Sequence, residues 1–291
     1  MRRLFVQKMP MARQRVGVVP TYEIFDTVGS HNFHVPSNVS KVNILIVAGG
    51  ASAGGNDANR GGGGAGGLVF HPDYTVTPGA DISVTVGAGG ALQASNAAGN
   101  DGLDSVFGAL TAKGGGGGAG WGENGRDGGS GGGAAGRTDA YGGAETQTGQ
   151  AGDSGTYGYG NRGGNSLSAS GTNKVQAGGG GAGEPAEDPP NINNYAGSGG
   201  DGLKEVEING TIYNFAELFG TDYGEIIYGE AWFAGGGSGN DADNDRGAVG
   251  GKGGGGDPNQ GGAANTGGGG SASASGGQPG GSGIVIVRYY A

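Results

Sequence analysis

Val42-Asn43-Ile44-Leu45-Ile46-Val47-Ala48-Gly49-Gly50 opens a long glycine tract, and Gly283-Ile284-Val285-Ile286-Val287-Arg288-Tyr289-Tyr290 closes it. In the first run Leu45 and Val47 lie on one face and Ile44 and Ile46 on the other, the signature of a strand covered on both sides. The second run is the most hydrophobic strand in the chain. Two such strands pair if the ends of the tract meet in one sheet, and the glycine between them then becomes connection rather than tail.

Glycine supplies 78 of the 291 residues. Leu, Ile, Val and Phe together supply only 47, below the roughly 20% typical of disordered chains, so side chains alone cannot offset the ~1–2 kcal/mol of backbone entropy lost per ordered residue. Backbone hydrogen bonds can. Without a Cβ, left-handed helices of the polyproline II type, with about three residues per turn, can lie side by side and bond through N–H and C=O.

Collagen and a flexible linker are both rejected. The Gly-X-Y frame breaks at Ala119 and Ala134, and there are only 10 prolines, where a triple helix needs an unbroken frame rich in proline. Aromatic and aliphatic anchors such as Phe70, Phe107, Trp121, Trp232 and Phe233 punctuate the tract, and a linker has no use for them.

Short strands are expected at residues 22–26 and 31–35, as a hairpin around Val28-Gly29-Ser30, and at 42–47, 68–74, 82–86, 106–112 and 284–290. Little helix is expected beyond a turn near residues 214–219. The expected fold is all-β: one sandwich whose long connections are packed polyglycine helices, preceded by an arm at residues 1–20, with the domain at 21–291. No proline-rich linker divides the chain.

Several phrases resemble the glycine-rich domains of bacteriophage tail and virion proteins. They are residues 33–50, Gly61-Gly-Gly-Gly-Ala-Gly-Gly67, Tyr74-Thr-Val-Thr-Pro-Gly79, Val84-Thr-Val-Gly-Ala-Gly-Gly90, Ala264-Asn-Thr-Gly-Gly-Gly-Gly270 and the closing Gly280–Tyr289 run. The resemblance covers nearly the whole chain and implies a polyglycine II bundle on a jelly-roll-like sandwich, as in distal tail-fibre adhesins. Residues 204–233 depart from it, being longer and more aromatic than the usual short link.

The formal charge is −10 with a pI near 4.7, which disfavours nucleic acid. Cysteine is absent, so disulfides and thiolate metal sites are excluded, and no run approaches a membrane span. Arg2, Arg3, Lys8, Arg13 and Arg15 are the basic residues of the arm, which contains no acid; it reads as a virion anchor gripped by an acidic neighbour.

Glycine-rich sequence produces catalytic motifs by chance. Gly120-x-Gly122-x-x-Gly125 lacks a strand–helix context, and Gly128-x-Ser130-x-Gly132 lacks a histidine partner. No enzyme activity is expected. Asp241, Asp243 and Asp245 alternate in the manner of oxygen ligands for calcium, but Arg246 and Lys252 stand where an EF-hand needs glycine and glutamate; no other cofactor is indicated.

The resulting expectation is a virion structural protein on the surface of a phage tail or capsid, as a tail-fibre or receptor-binding adhesin. Its host-recognition aromatics would be Trp121, Tyr141, Tyr157, Tyr159, Tyr195 and Tyr223, directed at a host surface glycan or protein, and the loops at 139–176, 184–195 and 205–233 are where a host-facing surface is expected. The alternative is a capsid or tail decoration that binds no receptor. Homo-oligomerisation stays open.

Overall fold

The β-branched runs become strands, and their order places both ends of the glycine tract in one sheet. The computed structural model describes residues 19–55, 60–136, 139–149, 153–166, 175–190, 195–239, 248–273 and 276–291. In chain order the first seven strands are β1 (Thr21–Phe25), β2 (Gly29–His34), β3 (Lys41–Val47), β4 (Leu68–Thr75), β5 (Asp81–Val86), β6 (Ser105–Phe107) and β7 (Leu110–Ala112). Four two-residue strands follow along the glycine region: β8 (Ala135–Gly136), β9 (Gly158–Tyr159), β10 (Val175–Gln176) and β11 (Tyr195–Ala196). Then come β12 (Glu205–Ile208), β13 (Thr211–Asn214), β14 (Glu225–Ile227), β15 (Glu230–Trp232) and the closing β16 (Ile284–Tyr289). Among the described residues helix is limited to α1 (Asp153–Thr156), α2 (Phe215–Phe219) and one 3-10 turn at Gln147–Gly149. The fold is all-β and sandwich-like.

One antiparallel sheet has the order β1-β16-β3-β4-β9, so the two runs that bound the glycine tract are neighbours, with Ile284 opposite Val47 and Val287 opposite Ile44. A second sheet, β2-β5-β6-β7, faces it. Ile44, Ile46, Val69, Val285 and Val287 from the first meet Phe33, Val84, Val86, Phe107 and Leu110 in a single buried core.

Two expectations are corrected. Residues 22–26 and 31–35 do not form a hairpin: β1 pairs with β16 and β2 with β5. The chain crosses between sheets instead, which lets Phe25 and Phe33 enter the same core from separate sheets. Residues 106–112 are not one strand but two, folded at Gly108 with φ 57° so that Phe107 lies opposite Leu110 and both are buried.

Residues 203–234 form a third layer rather than a loop. Hairpins β12–β13 and β14–β15 turn at Asn209-Gly210 and Tyr228-Gly229, where both central residues have positive φ, as tight two-residue hairpins require. Between them Asn214 caps α2 by accepting a hydrogen bond from the Glu217 amide at 3.1 Å. This layer brings Val206, Phe215, Phe219 and Phe233 onto Leu45, Phe70 and Ile286, the second face of the first sheet. The two-sided burial expected of the Val42 run is thereby met.

The glycine segments hold one another through their backbones. Along residues 61–67 successive amides donate to Ala119, Ala177, Gly270, Gly116, Gly180, Gly267 and Lys113, so the partner segment recurs every third residue. The carbonyls do the same in reverse. Gly61 to Ala65 accept in turn from Gly54, Gly133, Gly237, Ala51 and Ser130. A backbone that returns to the same neighbour at every third residue completes a turn in three residues, and this one is surrounded by six neighbouring segments. A Cβ on Gly61, Gly62, Gly63, Gly64 or Gly66 would overlap a neighbouring backbone carbonyl. Ala65 is the exception, because its methyl joins the second core.

Candidate functional site

The bundle has little side-chain chemistry of its own, so candidate sites lie where its segments are interrupted. Trp121 sits in the turn closed by the Glu123 amide on the Gly120 carbonyl, with Gly122 at φ 71°, and keeps 39% of its surface exposed. Tyr141 is 57% exposed. Its amide donates to Asn124 Oδ1 at 2.8 Å and its carbonyl accepts from the Gly125 amide at 2.9 Å, so its backbone is fastened to the segment that leaves the Trp121 turn.

The other four predicted aromatics are more enclosed. Tyr157 packs on the first core, its ring centroid 4.1 Å from that of His71, while Tyr159 and Tyr223 pack on the second core. Burial raises the Tyr159 phenol above its ordinary pKa, with Tyr157 adding to the effect. Tyr195 is half-buried in β11. The six therefore do not form one patch. Asp241, Asp243 and Asp245, and the arm cations Arg2, Arg3, Lys8, Arg13 and Arg15, lie outside the described residues.

The structure does link the three loops that break the glycine pattern. Asp188 takes both Arg162 guanidinium nitrogens, at 2.8 and 3.1 Å, together with the amide and side chain of Asn165, joining the first loop to the second. Burial works to raise the Asp188 pKa, but these hydrogen bonds and the Arg162 charge outweigh it and hold the carboxyl below its usual range. The second loop meets the third layer at a cleft of about 430 Å³, lined by Glu184, Lys204, Glu205, Glu207, Trp232 and Lys252 among others.

Strand alternation builds that cleft. On β12, Val206 and Ile208 turn to the core and leave Glu205 and Glu207 on the outer side. On β15, Ala231 is buried, which leaves Glu230 and Trp232 outward. The ammonium groups of Lys252 and Lys204 stand 4.9 and 5.9 Å from the Trp232 ring centroid, within cation–π range. A hydrogen bond and ion pair with Asp201 raise the Lys252 pKa. Glu230 accepts from Asn214 Nδ2 at 2.7 Å, which lowers its pKa, and pairs with Lys204 at 3.5 Å.

Sequence reasoning passed over Trp232 and the Glu205–Glu207 pair as site residues. The available signal was the Glu-Val-Glu-Ile alternation, read as part of an irregular loop when it is the period of a half-buried strand.

Among the described residues no group of three or more His, Cys, Asp and Glu side chains could hold a metal ion, and no helix is long and apolar enough to cross a membrane. No curated protein matches the chain. Residues 26–290 match the family described as the glycine-rich domain, and with all but its two ends covered the chain belongs to that family.

Proposed function

We propose that this chain is a non-enzymatic display module of a bacteriophage particle, a tail-fibre or receptor-binding adhesin whose glycine segments form a polyglycine II bundle. The bundle is the rigid scaffold, and the residues that interrupt it meet a host surface glycan or protein. One observation carries the reading: Trp121 and Tyr141 expose large rings from backbones fastened to the bundle. Aromatic side chains held in this way offer contact area at low entropic cost and suit stacking on sugar rings. The basic arm is the attachment device to an acidic neighbour on the particle.

The test is adsorption. Purified protein should bind host cells and compete with phage for them, and Trp121→Ala with Tyr141→Ala should abolish both without changing the melting temperature. Exchanging residues 184–195 for a glycine–serine loop tests the second loop in the same assay. Particles that lack the protein and still adsorb normally would transfer the reading to a decoration of capsid or tail.

A further inference from the structure

The third layer and the arm are opposites in charge and alike in apolar character. Residues 203–233 carry six carboxylates against one lysine, a net −5 that is half of the chain's −10. Residues 1–18 carry the five cations Arg2, Arg3, Lys8, Arg13 and Arg15 and no acid, interleaved with Leu4, Phe5, Val6, Met9 and Met11. The outer side of the third layer has matching elements: Glu184, Glu205 and Glu207 make no ion pair among the described residues, and they stand beside the half-exposed Trp232 and Ile212, the latter 64% exposed.

That surface is elongated. The cleft of about 430 Å³ shares Glu207 with a depression of about 240 Å³ lined by Tyr157 and Tyr159. On its other side the Lys204–Glu230 pair leads to a depression of about 340 Å³ bounded by Asn214, Glu217 and Glu230. Three adjoining hollows with carboxylates along them fit an extended, basic and partly apolar chain better than a compact ligand.

We propose that this groove binds residues 1–18 of a second copy of the chain, so that the acidic neighbour gripping the arm is the protein itself. The inference takes up the attachment role given to the arm under the proposed function and is independent of what Trp121 and Tyr141 contact. Its geometry is head-to-tail. The arm joins the first sheet at β1, one edge, while the Tyr157–Tyr159 end of the groove lies beside β9, the opposite edge. A contact in which the arm of one copy enters the groove of the next joins two unlike surfaces, and such a heterologous contact propagates into a ring or a fibre.

Mixing two complementary variants tests this. A chain lacking residues 1–18 keeps the groove and has no arm; Glu205→Lys with Glu207→Lys keeps the arm and reverses two charges on an exposed face. Each alone should sediment as a monomer with an unchanged circular dichroism spectrum, and the wild type should form larger species. An equimolar mixture should form heterodimers that dissociate in about 0.5 M salt, as screened charge pairs do. A synthetic peptide of residues 1–18 should bind the arm-deleted chain, and its Kd should rise at least ~10-fold in the charge-reversed groove. Assembly retained by either variant alone, or a mixture that stays monomeric, overturns the proposal. So does a wild-type monomer whose arm is protected from protease until salt is added, which would place the arm in its own groove. None of these readouts involves host cells, so failure here leaves the adsorption test standing.

Discussion

The glycine bundle and the β-sandwich fill the same chain with opposite means of order. In the sandwich, cohesion comes from side chains: Phe33, Phe70, Phe107 and the aliphatic runs around them are fully buried, and each removes apolar area from water worth about 25 cal/mol per Å². Residues 61–67 contribute little area of that kind, yet every one is buried and every amide donates to another segment. There the favourable term is a backbone hydrogen bond of about 0.5–1.5 kcal/mol net, repeated at each residue, with contacts between bare backbones. The comparison teaches that glycine content by itself does not measure disorder. What decides is whether each glycine's missing Cβ is occupied by another backbone.

The largest test is to restore one Cβ at the centre of the bundle. At Gly63 it would overlap the Ala51 carbonyl, a backbone group that cannot step aside without breaking its neighbours' bonds. Gly63→Val should cost more than ~4 kcal/mol, the range in which single changes are exceptional, and should abolish cooperative unfolding in a thermal scan. Gly79, with no atom near its Cβ position but φ 77°, is the contrasting site: valine there should cost only about 1–2 kcal/mol of backbone strain. Equal, small losses at both positions would mean that the bundle is solvated rather than packed.

The second test falls on the side-chain side. Phe70 lies between Tyr213, Phe215 and Phe219, with ring centroids at 5.2, 5.7 and 6.2 Å, and with Leu45 and Ile286 it joins the third layer to the sheet. Phe70→Ala should cost about 3–5 kcal/mol by lost burial and a residual cavity. Partial proteolysis should then open residues 203–233 first, with the glycine segments still protected from hydrogen exchange.

Much of this division was legible in the sequence, because strands and glycine segments announce themselves by local pattern. The Val42 run declared two-sided burial, its pairing with the Ile284 run followed from their matching character, and a helical turn was legible near residues 214–219. Three things were not local. The crossover between β1 and β2 depends on which sheet accepts Phe33, a choice made by Phe107 and Val84 more than fifty residues away. The turn at Gly108 is hidden inside an apolar run that reads equally well as one strand. The third layer looked like an exposed loop because its apolar residues, Val206, Phe215, Phe219 and Phe233, are separated by charges whose outward side is apparent only once the first sheet is in place. For the same reason four of the six predicted contact aromatics proved partly enclosed, while Trp232 was overlooked.

A smaller test uses pH to separate loop from scaffold. Asp188 has a depressed folded-state pKa, so its contribution is fully present above the ordinary carboxylate value and is lost as pH falls through the folded one. Asp188→Asn should lower the melting temperature by about 1–3 °C at pH 7, a modest shift because both partners are partly solvent-exposed. The difference from wild type should shrink as the pH drops below about 4. The bonds along residues 61–67 carry no such dependence, since they join uncharged backbone groups; a pH-independent difference would assign the Asp188 effect to packing instead.

The smallest expected effect is a gain. Tyr228 occupies the first central position of the β14–β15 turn at φ 51° and is fully exposed, so among the described residues it touches nothing that would offset the left-handed backbone. Asn209 holds the equivalent position in the β12–β13 turn with the same φ and the residue type that tolerates it. A bulky side chain in that region is an outlier, and the cost of the conformation is of order 1 kcal/mol. Tyr228→Asn should therefore raise stability by a few tenths to ~1 kcal/mol and the melting temperature by about 1 °C, measured by chemical denaturation and calorimetry together. Here the two regions meet on common ground: Gly63 has backbone where a Cβ would stand, while Tyr228 has open space around its ring and a φ that favours asparagine or glycine. A loss of stability on Tyr228→Asn would show that the ring makes a contact in solution, and would move Tyr228 from turn residue to binding residue.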